Sequence, residues 1–268
     1  MKAIYKVKLQ VVVLVGLILT TQNLARAADI TFLCAAALEP WMHDVIPEFQ
    51  KTSGHTVKPT FAVINVITER VRKGDPTDLA IVSPQQWESL QNDGKLDPAT
   101  RVVIAKVAYG VFVRKGAAKP DISSVEAFKR AFLNAGSIAV FNPTGRGPTS
   151  IYQARVFERL GISADINRKI KIAGAPKPNQ VVSAPLFELV ANGDAEISLA
   201  MISEIVQAPG VELVGLVPAE IQEFTIFTTV IPVHAKEPTA VKAFIEFLTS
   251  PRATSILKSK GLEEPIFR

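Results

Sequence analysis

A chain of 268 residues that is 48% hydrophobic and 21% charged carries enough apolar material for one or two packed cores, which excludes disordered, collagen-like and mini-protein classes. Lys and Arg number 30 against 25 Asp and Glu, but Lys2, Lys6, Lys8 and Arg26 all lie in the first 27 residues, which contain no acid, so residues 28–268 hold 26 basic and 25 acidic side chains. That near-balance excludes a polyanion binder, and nucleic acid is not an expected partner.

Lys2, Lys6 and Lys8 precede an apolar run from Leu9 to Leu19, broken only by Gln10 and Gly16, and a polar stretch then reaches Ala25-Arg26-Ala27. This order predicts a secretory signal peptide over residues 1–27, cleaved before Ala28, and a periplasmic protein. The apolar run is about half the roughly 20 residues a bilayer span needs, so it does not read as an anchor. Cys34 is the only cysteine, so no intrachain disulfide can form; following Thr31-Phe32-Leu33, it reads as part of a buried strand.

Further along, short β-prone runs alternate with segments of helical period. Strands are predicted over Ile30 to Cys34, Val57 to Phe61, Leu79 to Val82, Val102 to Val113, Ser137 to Phe141, Ile170 to Ala173, Ile197 to Met201, Val211 to Leu216 and Thr225 to Val233. Helical stripes include Val125, Phe128 and Phe132; Tyr152, Val156 and Leu160; Leu186, Leu189 and Val190; and Val241, Phe244, Ile245 and Leu248. The alternation predicts an α/β fold with parallel sheets. Some 240 residues exceed one ordinary α/β core, so two lobes are expected. The extended stretches Lys106 to Phe112 and Phe227 to Pro232 are the candidate crossovers between them. This assigns 28–108 plus 230–268 to lobe I and 109–229 to lobe II.

No P-loop, H-E-x-x-H, C-x-x-C or G-x-S-x-G motif occurs, and His43, His55 and His234 are far apart, so no cofactor or metal is expected. What recurs is a strand entering a helix through small or polar residues: Cys34-Ala35-Ala36-Ala37, Phe61 to Asn65, and Asn142 to Ser150. The first N–H groups of a helix lack internal acceptors and carry the positive end of its dipole, so several such ends around one cleft would hold an anion. Arg146 adds a guanidinium able to grip a carboxylate. Thr149, Ser150 and Ser183 also read simply as N-caps.

Asp29 to Leu38, Phe49 to Thr56, Gly74 to Ile81, Gly193-Asp194-Ala195-Glu196 and Ala243 to Pro251 resemble the periplasmic molybdate-binding proteins of ABC importers, and the likeness runs over almost all of the chain after the signal. The resemblance implies a type II periplasmic binding protein: two α/β lobes, two crossover strands, and a small anionic solute between them that a membrane permease receives from a monomer. Ala118 to Ser123, Ser203-Glu204-Ile205 and Pro209 to Pro218 look like the branch of that superfamily that includes bacterial aconitate isomerases.

Members that bind molybdate usually place serines in the first two loops and a tyrosine late in the second lobe; the corresponding positions here are Ala37, Ile64 and Met201. Losing three donors disfavours a buried molybdate, because each unmet acceptor costs about 1–3 kcal/mol. The expected ligand-binding set is Ala36, Ala37, Ile64, Asn65, Arg146, Thr149, Ser150, Ser183, Met201 and Ser203, which suits an organic carboxylate. Capture for transport, aconitate isomerisation and a sensing role all stay open. An isomerase would need a base beside an acidified C–H, and Glu204 and His43 are its candidates. Glu204 reads equally as an acid at a helix start, and His43 as a residue on a helix face.

Overall fold

The computed structural model describes residues 27–142, 147–177 and 180–265. The signal peptide, apart from Ala27, and Arg146 therefore lie outside the described residues.

In the first lobe, β1 (Asp29–Ala35) lies between β2 (Thr56–Ala62) and β3 (Leu79–Val82), both parallel to it. β1 is buried almost throughout, and β3 wholly so, as strands covered on both faces must be. The covering helices are α1 (Glu39–Ser53), α2 (Ile64–Lys73) and α3 (Pro84–Asn92). α1 follows a short 3₁₀ turn, Ala36–Leu38, and buries Trp41, Met42, Val45, Ile46 and Phe49 along one stripe. It ends at Gly54, whose φ of 74° is the left-handed C-cap that glycine adopts without steric cost.

β4 (Val103–Arg114) then leaves the first lobe. The second lobe holds α4 (Val125–Asn134), β5 (Ile138–Val140), α5 (Pro148–Arg159), α6 (Ser163–Asn167), β6 (Ile170–Ile172), α7 (Ala184–Ala191), β7 (Ile197–Met201), α8 (Ile202–Ile205) and β8 (Val211–Leu216). The chain returns through β9 (Phe224–Val230) and closes with α9 (Pro238–Leu248) and α10 (Pro251–Ser259). These last helices complete the first lobe. Phe244 packs between Phe32 of β1 and Phe49 of α1, at ring-centroid distances of 5.7 and 4.8 Å. Trp41 donates its indole N–H to the Ala253 carbonyl of α10 at 3.0 Å.

The strand order is β2-β1-β3-β9-β4-β7-β5-β6, with β8 on β4. β4 crosses between lobes within one strand: Val103 to Ala108 pair with β9, Tyr109 to Val113 with β7, and Gly110 to Arg114 with β8. The sheets are mixed, not parallel as the alternation predicted: β1, β2 and β3 are parallel, as are β5, β6 and β7, but β4 and β9 run antiparallel to their neighbours. Two strands that carry the chain out and back have opposite directions, and that follows from topology, not from local pattern. The return also comes earlier than Phe227, because Leu216 pairs with Gly110 and Phe224 already pairs with Ala108.

One buried carboxylate ties the first lobe together. Asp78 accepts from the Thr31 amide at 2.9 Å, the Thr31 hydroxyl at 2.6 Å and the Lys236 amide at 2.7 Å, joining β1 to the approach of α9. Burial alone pushes its carboxyl up, but the Thr31 hydroxyl and amide and the amides of Lys236 and Glu237 outweigh that effect and hold it below the ordinary aspartate value. A depressed folded-state value means that this stabilisation is complete above about pH 4, where an unfolded aspartate is ionised, and is lost as pH falls through the folded value. Asp78→Asn is expected to lower stability by about 1.5–3 kcal/mol at pH 7, the range for hydrogen bonds to a charged group. Urea unfolding at pH 7 and pH 3 checks this, the gap between parent and variant shrinking at the lower pH.

Candidate functional site

A cavity of about 260 Å³ opens where the two lobes face each other. From the first lobe its wall takes Ala35, Ala36 and Ala37 at the end of β1, and Ala62, Val63 and Ile64 at the entry to α2. From the second it takes Asn142 and the start of α5 with Thr149 and Ser150, then Ser183 before α7, and Met201 and Glu204 around the end of β7.

Three helices begin at this wall. α2 is preceded by Val63 and α5 by Gly147, and neither N-cap residue supplies a side-chain cap among the described residues. Ser183 stands at the N-cap of α7, yet its hydroxyl makes no capping bond among the described residues. By contrast Ser83, Ser124 and Ser250 cap α3, α4 and α10, which do not border the cavity, through hydrogen bonds to the Gln86, Ala127 and Ala253 amides. First-turn N–H groups of α2, α5 and α7 thus face a space where their acceptors must come from outside the helix.

The reading of Thr149 and Ser150 as N-caps is corrected: Gly147 holds that place, and both residues sit inside the first turn of α5. Both are buried, and Ser150 donates its hydroxyl to the Gly147 carbonyl at 2.9 Å. α5 is anchored from behind: Gln153 donates to the Leu199 carbonyl and accepts from the Phe141 amide, at 2.9 and 3.0 Å, and the Tyr152 hydroxyl donates to the Ile221 carbonyl at 2.9 Å. These bonds bind α5 to β7, to the end of β5 and to the loop before β9, which fixes the mouth of the helix against the cavity.

Glu204 is the one charged residue of this wall among the described residues. It follows Met201 in α8, a single turn that leaves β7 at the cavity rim. Its Oε2 is shut off from solvent and has no hydrogen-bond partner among the described residues. Burial pushes the carboxyl up to about 7, the Ser183 hydroxyl beside it pulling the other way.

A second cavity, of about 500 Å³, adjoins the first and shares Ala36, Ser183 and Glu204 with it. Its wall includes Glu39, His43 and Glu188.

Of the ten expected ligand-binding residues, Ala36, Ala37, Ile64, Thr149, Ser150, Ser183 and Met201 come together on the first cavity. Asn65 does not line it: its side-chain oxygen accepts from Gln86, and it borders a separate cavity with Ser83 and Tyr109. Ser203 does not line it either. It is fully buried, and its hydroxyl donates to the Ala37 carbonyl at 3.1 Å, tying α8 to the 3₁₀ turn of the opposite lobe. Arg146 falls in the undescribed stretch between Asn142 and Gly147. Of the two candidate bases, Glu204 reaches the cavity, whereas His43 is exposed on α1, 3.4 Å from Glu39 Oε1, and borders only the second space. Sequence reasoning missed Val63, Phe141 and Phe227 as wall residues, because an apolar side chain facing a cavity reads no differently from one facing the core.

Residues 30–263 match the family described as bacterial extracellular solute-binding protein. An aconitate isomerase from Pseudomonas sp is 25% identical over 242 residues, covering 87% of each chain. The molybdate-binding protein of Escherichia coli (strain K12) is 28% identical over 240 residues, covering 89% of this chain and 90% of that one. Among solved structures, the periplasmic molybdate-binding protein of Azotobacter vinelandii superposes with a TM-score of 0.71 at 20% identity, covering 88% of this chain and all of that one. The architecture is therefore the expected type II arrangement, two α/β lobes joined by two crossover strands.

Proposed function

The chain belongs to the bacterial extracellular solute-binding protein family, and from that premise we propose that it captures a small organic carboxylate in the cavity between its lobes and delivers it to an ABC permease. The observation that carries this reading is the composition of the wall: helix starts without side-chain caps among the described residues and the hydroxyls of Thr149 and Ser183, beside an apolar surface of Ala36, Ala37, Ile64, Met201 and Phe227. The amides and hydroxyls suit a carboxylate, and the apolar surface suits its carbon skeleton. A tetrahedral oxyanion needs donors on all sides, and Ala37, Ile64 and Met201 supply none from their side chains. Arg146, close in sequence to the start of α5, is the proposed countercharge. The lobes are proposed to comprise residues 28–108 together with the C-terminal segment that begins in β9, and the stretch from 109 to the start of β9. The match to an extracellular solute-binding family supports a periplasmic location, and the cleaved signal over residues 1–27 is proposed from the sequence alone.

Native mass spectrometry of protein purified without denaturation tests the reading. The expected spectrum contains a species heavier than the mature chain by the mass of a small organic acid. A spectrum of bare protein that stays bare after incubation with di- and tricarboxylates would contradict it.

A second reading, aconitate isomerase-like turnover, is supported by one specific observation: Glu204, the only acid on the cavity wall among the described residues, has an unpartnered oxygen and a value near that of a working general base. Incubating the protein with trans-aconitate and following the vinyl protons by NMR decides it. Appearance of the cis isomer supports turnover; an unchanged spectrum leaves capture alone.

A further inference from the structure

Glu204 poses a problem for an anion site. Its carboxyl sits in the wall shared by the two interlobe cavities, and no lysine or arginine lines either one among the described residues. The groups that face this region from neighbouring elements are Glu39 and His43 on α1, Glu188 on α7, and Tyr109 on β4, whose phenol Glu204 helps to push upward. Ser183 contributes a neutral hydroxyl. Among the described residues the surroundings therefore offer acids, one exposed histidine and neutral donors, and the proposed Arg146 countercharge would be left to the ligand. An ionised Glu204 would stand beside the bound anion in a poorly solvated space, where like charges repel strongly. A neutral carboxylic acid, by contrast, carries no charge to repel the ligand, and the Glu204 side chain lines both cavities while its Oε2 is sealed in the wall without a partner among the described residues.

We infer that anion capture in this protein is linked to a proton on Glu204: the ligand is bound with Glu204 as the neutral acid, which removes the repulsion between that carboxyl and the bound anion. This rests on the proposed reading of the first cavity as a carboxylate site, and it adds a defined pH dependence and a selective role for one residue. Below the titration of Glu204 the acid is already neutral, and affinity is level. Above it, only the protonated fraction of the protein is competent, so the apparent affinity falls up to tenfold per pH unit, and one proton is taken up for each anion bound. Burial raises the carboxyl to about 7, which puts the change between pH 6 and 9.

The test is isothermal titration calorimetry with fumarate, trans-aconitate and sulfate at pH 6.0, 7.0 and 8.5, using buffers of different ionisation enthalpy, on the parent chain and on Glu204→Gln and His43→Gln. Fumarate and sulfate keep their charge over this range, so a slope seen with either comes from the protein. The expected result is an affinity roughly 30-fold weaker at pH 8.5 than at pH 6.0, with heats that reveal proton uptake. Glu204→Gln, a neutral isostere that cannot ionise, should lose the slope, whereas His43→Gln should keep it. Binding independent of pH in the parent, or a slope abolished by His43→Gln and not by Glu204→Gln, overturns the inference and leaves the carboxylate site standing. Absence of binding to every anion by parent and Glu204→Gln at every pH overturns the reading on which it rests, and the inference with it.

Discussion

Ala36→Phe should weaken binding of the captured carboxylate by at least about 100-fold, or about 2.7 kcal/mol. Ala36 lies in the 3₁₀ turn after β1 and borders both interlobe cavities, beside Ser183 and Glu204 of the opposite lobe. A phenyl ring there enters a space of about 260 Å³ whose other walls are fixed by strand ends and anchored helix starts, and it competes directly with the ligand. Ala36 is half-buried, and the turn needs no side chain from it, so the fold should tolerate the change. Calorimetric titration of parent and variant measures the loss, and circular dichroism verifies that the variant is folded. Equal affinity in the two would place the ligand elsewhere.

Trp41→Ala should cost about 3–5 kcal/mol of stability, the usual penalty for removing a large buried aromatic. Trp41 is completely buried in α1, and its indole N–H is the partner of the Ala253 carbonyl in α10. The substitution opens a cavity and leaves that carbonyl unpaired in the seam where the C-terminal helices rejoin the first lobe. Against a typical total of 5–15 kcal/mol, this is about a fifth or more of the molecule's stability. Guanidinium unfolding of parent and variant reads it, and Trp41→Phe should recover most of the packing while losing the hydrogen bond. A cost below about 1 kcal/mol for Trp41→Ala would mean that α10 is not held through this contact.

The strands were legible because they are short and mostly apolar: the runs Leu79 to Val82, Ile197 to Met201 and Val211 to Leu216 are strands with those same limits. Strand direction was not legible. Nothing in the pattern of β4 or β9 tells that each runs antiparallel to its neighbours. α3 escaped notice since it buries only Trp87 and Leu90; its signature is the Ser83/Gln86 capping box, not a stripe.

The site was partly legible for a related reason. Small residues at strand ends and hydroxyls in first turns mark positions where a ligand can approach, and most of these do converge. Asn65 and Ser203 have the same local appearance, but Gln86 and the Ala37 carbonyl engage them, and such partners are set by tertiary packing far away in sequence. Glu204 reads from the chain as an acid at a helix start. Its chemistry follows from burial at the meeting of two cavities, which no local pattern encodes.

The central claim is that uncapped helix starts around an apolar cavity bind a carboxylate. Isothermal titration calorimetry at pH 6.5 with sulfate, molybdate, fumarate, succinate and trans-aconitate tests it most directly. The account predicts one-to-one binding of at least one carboxylate with a Kd in the micromolar range or tighter, and weaker binding of molybdate and sulfate. Tight binding of molybdate with no heat from any carboxylate would contradict it.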